Sequence, residues 1–479
     1  MNYRIIGKTT GLIMLVEAAC MLPSLILAAY LKENILPFLY TIPPLTLVGL
    51  VMLKVFKGGS IFSPRDAYVT VVGAWLTLSV FGCLPFYFNG GFGSFISCLF
   101  ESVSGFTTTG ASILSDIESL PKGILLWRSS THFIGGMGIL VLATAIMPAK
   151  GDRSLYLMRA EVPGPTKDKL VPKLSDTSKI LYAMYIVLTL TEVICLLFAG
   201  LGIYDSVTVA LATAGTGGFA VKNASIGGYG IPAVDVITGI YMMLFGFNFS
   251  IYFLLLTRKF KQVFKNEELR FYLGVVALAT ILISINTFSI YGTVSDTLRN
   301  VFFTVTSTSS STGFSITDHD AWPEFSKTIV VILMIIGACA GSTGGGIKCS
   351  RALMLIKGVI CEIKQIVHPR LVSTVRIDGK VVEENTMGGV TRFFAAYVFV
   401  TFLGTLLVSV DNLDFTTNFT AVLSCMSNIG PGLAKVGPTL NFTCYSEFSK
   451  VILTICMLIG RLEVFPILIF LSPFTWKKG

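Results

Sequence analysis

The stretch Gly93-Ser-Phe-Ile-Ser-Cys-Leu-Phe-Glu-Ser-Val-Ser-Gly-Phe-Thr-Thr-Thr-Gly110 begins as an apolar run and ends as a hydroxyl-rich turn closed by glycine. Its apolar part covers only 10–14 residues, whereas a helix needs about 20 to cross a bilayer. The spacing therefore predicts a re-entrant helix that enters the membrane and turns back. The same plan returns three times. It runs from Asp205 to Thr216-Gly-Gly218, from near Ser295 to Ser311-Thr-Gly313, and from near Asp414 to Asn428-Ile-Gly430. The closing glycines are 108, 95 and 117 residues apart. Such an internal repeat governs the reading of the whole chain.

One copy of this pattern would read as an ordinary polar loop, but four copies point to a pore. Asp205, Ser295 and Asp414 stand where helix N-caps are wanted. A half-helix entering from outside aims the negative end of its dipole at the membrane midplane, which favours a cation there. The return must run through non-helical backbone, whose bare carbonyls survive at that depth only inside protein or beside water. Glycine permits the φ values that turn successive carbonyls inward. Four such loops about one axis make rings of oxygen able to replace a cation's hydration shell.

The chain around these loops has a composition suited to lipid. Of 479 residues, 53% are hydrophobic and 13% charged, and the mean hydropathy is +0.76. A typical soluble protein is about 25% charged. Ten segments are long enough to span, near 12–31, 35–53, 67–89, 124–147, 180–203, 231–256, 271–291, 326–347, 393–410 and 451–474. They do not alternate, which excludes a β-barrel. The expected fold is an all-α polytopic membrane protein in which four helix–short helix–helix repeats surround a pseudo-fourfold pore, with two extra N-terminal helices. The expected boundaries are an N-terminal two-span unit at 1–66, pore repeats at 67–148, 180–260, 261–365 and 393–479, and cytoplasmic loops at 149–179 and 366–392. The first apolar run, after Arg4 and Lys8, has spanning length and a second run follows at once, so it reads as a retained span, not a cleaved signal.

Charge gives orientation. With both termini in the cytoplasm, 27 of the 36 Lys and Arg residues fall on the inner side, eight on the outer side or near span ends (Arg128 among them), and Arg461 inside the last span. That is the positive-inside bias, and it accounts for the net charge of +9 without nucleic acid. The ten cysteines are scattered and form no metal-ligand pattern. Only three histidines exist, His132, His319 and His368, and no hydrolase motif accompanies them, which argues against an enzyme.

The motifs Ser104-Gly-Phe-Thr-Thr-Thr-Gly110, Thr216-Gly-Gly-Phe219, Ser311-Thr-Gly-Phe314 and Asn428-Ile-Gly-Pro-Gly432 resemble those of the Trk/Ktr/HKT superfamily of potassium uptake proteins, most closely the bacterial Trk-type membrane subunit. The resemblance covers nearly the whole chain. It implies potassium uptake through a gated, channel-like pore in the bacterial inner (cytoplasmic) membrane, with K+ as the ion held and no organic cofactor in this chain. It places the selectivity filter at Thr108, Thr109 and Gly110; Thr216, Gly217 and Gly218; Ser311, Thr312 and Gly313; and Asn428, Ile429 and Gly430, acting mainly through backbone carbonyls. In plant relatives a serine at the first of these glycines goes with sodium transport, so Gly110 argues for potassium. The resemblance also implies a homodimer and a cytosolic regulatory subunit of the TrkA type that binds NAD, ATP or ADP and docks on the basic inner loops. A proton- or sodium-coupled symporter is the alternative, disfavoured because the repeats are parallel and not inverted.

Two further features lie beyond the filter motifs. The eighth span is interrupted by Gly337-Ala-Cys-Ala-Gly-Ser-Thr-Gly-Gly-Gly346, too rich in glycine for a stable helix. It fails the Walker pattern because Ile347 and Cys349 flank Lys348. The residues alone would allow a close helix-packing seam; the resemblance implies an intramembrane gate loop that occludes the pore, with Gly341, Gly344, Gly345 and Gly346 among its gate residues. Arg461 sits inside the last span, where charge is costly, and Glu463, two residues on, does not share its helix face. Arg461 is expected beneath the filter against the gate loop. Glu101 is expected to anchor the first short helix. Asp116, Glu118, Asp318, Asp320 and Glu324 read either as a cation-attracting outer mouth or as a solvated face, and His132, Glu192 and Asp235 as packing contacts.

Overall fold

In lipid each backbone N–H and C=O must find its partner within its own segment, so the long apolar runs fold as helices. A computed structural model describes residues 2–56, 64–138, 174–371 and 373–476. Most of the expected inner stretch 149–179, and the end of the expected span 124–147, lie outside the described residues.

The chain opens with two helices, α1 (Tyr3–Tyr30) and α2 (Leu36–Val55). They approach closely because Gly11 and Gly49 face each other. A Cβ on Gly11 would lie 2.9 Å from the Gly49 carbonyl, and one on Gly49 3.0 Å from the Gly11 carbonyl. Four units follow. The first has α3 (Pro64–Gly82) continued by α4 (Leu84–Asn89), the short α5 (Phe95–Phe106) and α6 (Lys122–Gly136). The second has α7 (Leu174–Phe198), the short α8 (Ile203–Gly215), and α9 (Pro232–Phe245) with α10 (Phe249–Leu256). After α11 (Phe260–Lys265), the third has α12 (Glu267–Tyr291), the short α13 (Val294–Ser309), α14 (Glu324–Ile336) and α15 (Cys349–Val367). A two-stranded hairpin, β1 (Arg376–Ile377) with β2 (Lys380–Val381), pairs Arg376 with Val381. The fourth unit has α16 (Glu384–Val408), the short α17 (Phe415–Ser427), α18 (Glu447–Arg461) and α19 (Phe465–Leu471), before the last turn α20 (Pro473–Trp476).

Among the described residues, six helices are long and apolar enough to span a membrane, and seven if α9 and α10, bent by 91°, count as one. The remaining expected spans are the second helices of the units, and they are shorter or interrupted. Asn248 breaks the second unit's helix by capping α10, its side chain accepting the Ser250 N–H at 2.9 Å. Gly337, at φ 70°, ends α14, and helix resumes only at Cys349. In the fourth unit Glu463 and Val464 take φ of 60° and 64°, separating α18 from α19.

The units close into a ring. Each short helix packs on the long helix before it and on the second helix of the preceding unit: α8 on α6, α13 on α9, α17 on α14, and α5 on α18. Exposed leucine, isoleucine and phenylalanine, such as Ile281, Ile285, Phe399 and Leu406, cover the outward faces of α12 and α16, as a lipid-facing belt requires.

Candidate ion-selective site

The short helices are capped as their sequences dictate, with two shifts from expectation. Asp414 caps α17 through the Thr417 N–H at 2.9 Å, and Ser94 caps α5 through the Ser97 N–H at 3.2 Å. Ser295 is not a cap. Thr293 takes that place, because its hydroxyl accepts the Asp296 N–H at 3.2 Å and donates to the Asp296 carboxylate at 2.7 Å. Asp205 lies inside the first turn of α8, where the cap residue is Gly202. There it still suits the helix dipole, and it accepts the Tyr229 hydroxyl at 3.2 Å.

Each short helix ends in one backbone signature. Thr108, Thr216, Ser311 and Asn428 take φ of 56°, 53°, 58° and 52°, and the glycines two residues on, Gly110, Gly218, Gly313 and Gly430, take 80°, 76°, 83° and 104°. The residue between does not enter the left-handed region. Alternating hands along a strand turns successive carbonyls to the same side, the arrangement that lines a cation filter.

The four strands touch in order. A Cβ on Gly110 would lie 2.0 Å from the Gly217 oxygen, one on Gly218 2.1 Å from Thr312 O, one on Gly313 1.8 Å from Ile429 O, and one on Gly430 2.8 Å from Thr109 O. The glycine of each strand thus meets the middle carbonyl of the next, and the fourth returns to the first. Only glycine allows that approach. All four glycines line one cavity with Ser112, Asn223 and Asn441.

The carboxylates read either as an outer mouth or as a solvated face stand apart from this cavity. Among the described residues no carboxylate lines that cavity. Asp116 accepts the Asn223 side-chain amide at 2.9 Å, and Glu118 accepts the Asn223 N–H at 3.1 Å and pairs with Lys222 at 3.5 Å. Asp318 accepts the Asp320 N–H at 3.0 Å, and Glu324 pairs with Lys327 at 2.6 Å. Asp116 and Glu118 thus tie surface loops, while the Glu324 pair lies within the first turn of α14.

The interruption after α14 forms a loop tucked under the third and fourth strands. A Cβ on Gly344 would lie 2.6 Å from Ser310 O, and one on Gly345 2.1 Å from Ser427 O. The Gly345 N–H donates to the Ser311 hydroxyl at 2.5 Å. The loop's ends are held by Glu268 of α12, which accepts from Ala340 N–H at 2.6 Å and Ser350 N–H at 3.1 Å. Lys348, buried at φ 80°, donates to Gly344 O. Gly341 packs on Asn248, and Gly346 on Gly337. Arg461 meets this loop as expected. Its guanidinium donates to Thr343 O at 2.8 Å, to Gly136 O at 2.7 Å, and also to Gly135 O. Glu463 serves a different partner, Arg351, at 3.0 and 2.6 Å.

Three elements of the site escaped the sequence reading. Arg128, counted with the outer basic residues, is buried. Its Nε donates to Glu101 at 2.7 Å, a second nitrogen donates to Ala220 O at 2.9 Å, and its Cζ lies 3.4 Å from the Phe219 ring centroid. Glu101 acts as the expected anchor, also accepting the Ile113 N–H and the Ser112 hydroxyl, each at 3.0 Å. His132 bonds the Gly105 carbonyl at the end of α5 and the Phe219 N–H just past the second strand. The long first helices of the units each carry a buried aromatic, Trp75, Tyr185, Tyr272 and Tyr397. Tyr397 meets the Ser427 hydroxyl at 2.7 Å, Tyr272 meets that of Ser309 at 3.4 Å, and Tyr185 donates to Phe133 O at 3.0 Å. Recurrence of one aromatic per unit, 33–41 residues before each closing glycine, was the available signal. Of the residues read as packing, Asp235 faces Arg299 at 3.6 Å and Glu192 is fully buried.

The Arg128–Glu101 pair yields a direct prediction. Glu101→Ala leaves a buried guanidinium without its counter-charge, a loss of about 3–5 kcal/mol. Thermal unfolding in detergent reads this as a large fall in midpoint, and an unchanged midpoint refutes the anchoring role.

Four half-helices, four matched strands and an all-helical frame define a polytopic membrane protein of the pore-loop kind. The chain belongs to the TrkH family, whose description is cation transport protein and whose model matches residues 46–478. That is a family of transporters, not enzymes. The chain is 34% identical to the Trk system potassium uptake protein TrkH of Escherichia coli K12, over 100% of both chains. It is 32% identical to TrkG of the same strain, over 100% of this chain and 99% of that one. The crystal structure of the potassium transporter TrkH from Vibrio parahaemolyticus superposes with a TM-score of 0.89 at 30% identity, covering 100% of both chains.

Proposed function

We propose that this chain takes up potassium through a path on the ring axis, selected by the carbonyls of residues 108–110, 216–218, 311–313 and 428–430. The cyclic contact of the four glycines with the four middle carbonyls carries this reading. A closed ring of backbone oxygen is the chemistry that strips water from a monovalent cation. The potassium named in the relatives' titles supports the choice of ion.

The loop 337–348, including Gly341, Gly344, Gly345 and Gly346, acts with Arg461 as the gate. Arg461 stands on the fourth unit and bonds carbonyls of the first and the third. Units one and three flank the fourth in the ring, so the guanidinium ties the loop of one neighbour to α6 of the other, which supports a role in holding the gate. The boundaries 1–66, 67–148, 180–260, 261–365 and 393–479 describe an N-terminal pair and the four units of this machine. In a bacterial inner membrane both termini face the cytoplasm, consistent with the basic bias. A homodimer and a nucleotide-binding regulatory subunit complete the system, and the basic stretch that includes α15 and the β1–β2 hairpin offers the docking surface.

The test is flux in proteoliposomes of the purified full chain, comparing potassium, rubidium and sodium with and without a pH gradient. Potassium flux that needs no counter-ion gradient is expected. Absolute dependence on a proton or sodium gradient overturns the channel-like reading in favour of symport.

A further inference from the structure

We propose that His132 is a positioning residue for ion selection, setting the spacing between the first and second filter strands through one fixed tautomer. The proposal rests on the filter reading above and adds a residue outside the strands themselves.

His132 lies on α6 and is fully buried. Its Nδ1 is 2.7 Å from the Gly105 carbonyl, and its Nε2 is 3.1 Å from the Phe219 backbone nitrogen. A backbone N–H can only donate, so Nε2 is the acceptor and carries no proton. A carbonyl can only accept, so Nδ1 carries the proton. The two contacts together require the neutral Nδ1–H form. A lone buried histidine with one partner would leave the tautomer open, and here both nitrogens are committed.

Both partners adjoin the filter strands without belonging to them, Gly105 in the last turn of α5 and Phe219 just past strand two. Gly105 O also accepts the N–H of Thr108, the first residue of strand one, at 3.1 Å. Phe219 directly follows Gly218, the last residue of strand two. Between them the imidazole presses on Gly217, where a Cβ would fall 2.3 Å from His132 Cγ and Nδ1. Gly217 O is the oxygen that faces Gly110. Ring width at this seam is therefore set by the span of an imidazole between a carbonyl of unit one and an N–H of unit two. The ring is also held flat. Phe219 packs on it at 4.2 Å between centroids, tilted by 37°, and Arg128 covers the Phe219 face.

Two other seams are tied differently. Between strands four and one, Asn428 donates to the Thr109 hydroxyl at 2.9 Å and to Met457 O at 3.0 Å. Between units two and three, the Gly227 N–H donates to Ser315 O at 3.2 Å. The imidazole strut at the first seam thus carries a load that an amide contact carries at the fourth-to-first seam and a backbone contact between units two and three.

The experiment measures the potassium-to-sodium flux ratio in proteoliposomes for His132→Phe, His132→Gln and His132→Asn. Phenylalanine keeps the ring and loses both hydrogen bonds. Glutamine reaches the Phe219 N–H, and asparagine reaches the Gly105 carbonyl. The ratio is independent of how much protein is active, so a purely structural role lowers total flux and leaves the ratio unmoved. We expect a fall of about tenfold for His132→Phe and smaller falls for the two amides. A parental ratio in a folded, transporting His132→Phe protein overturns the proposal. If His132→Phe does not assemble, the amides decide in the same way, with an unchanged ratio in both counting against it. Gly313→Ser, on the strand across the ring, is the companion variant. If it lowers the ratio and the His132 variants do not, only the strut fails. If neither lowers it, the filter assignment itself fails.

Discussion

Replacing Arg461 with alanine raises basal potassium flux through proteoliposomes by about ten- to a hundredfold, by Coulomb arithmetic. Two unit positive charges about 6 Å apart at an effective dielectric near 20 repel by about 3 kcal/mol, roughly two orders of magnitude in rate. Removing the guanidinium removes that barrier. It also releases the loop 337–348 from its bonds to α6, since Arg461 is what joins Thr343 O to Gly135 O and Gly136 O. Arg461→Lys keeps the charge and cannot reach three carbonyls at once, so its flux falls between the two. Parental flux in a folded Arg461→Ala protein would remove Arg461 from the gate.

The second large effect belongs to Gly110. Gly110→Ser lowers the potassium-to-sodium flux ratio by about tenfold or more, which corresponds to about 1.4 kcal/mol of discrimination. The residue sits at φ 80°, and its new Cβ would lie 2.0 Å from Gly217 O and 3.1 Å from Gly217 C. Backbone cannot yield as a flexible side chain would, so the carbonyl must rotate or retreat and the ring opens on one side. Gly73→Ser is the control. That glycine lies on α3, and a Cβ there meets nothing within 4 Å. Equal ratios for Gly110→Ser and the parent would mean that residues 108–110 are not a filter strand.

How far the molecule could be read in advance follows from the range of each interaction. The strands proposed as the filter were legible as re-entrant loops because their signals are local. A short apolar run, a turn and a glycine at fixed offset specify a re-entrant loop without reference to the rest of the chain, and each of the twelve positions falls on the observed left-handed–ordinary–left-handed pattern. The glycine-rich break after α14 was legible for the same reason. Arg461 against the loop followed from the cost of a charge in lipid. The buried Arg128 was not legible. Its partner Glu101 lies 27 residues away on another helix, and charge counting alone places such a residue outside. His132 was read only as a packing contact, since a single histidine within a span carries no periodicity that would reveal its two backbone partners. The interrupted second helices were partly hidden because Asn248 and Glu463–Val464 lie inside runs that stay hydrophobic through the break.

The cyclic contact of the four glycines has a genetic consequence. A ring assembled from four copies of one chain repeats every codon change four times, so a tolerable quarter-sized change is never on offer. In this chain each strand is encoded separately, and a substitution enters the ring once. Asymmetries can therefore accumulate one seam at a time, as Asn428 in the fourth strand and the imidazole in the first seam already exemplify. The same encoding means that a defective allele cannot poison the ring by mixing with a normal product, because no ring is ever shared between two transcripts.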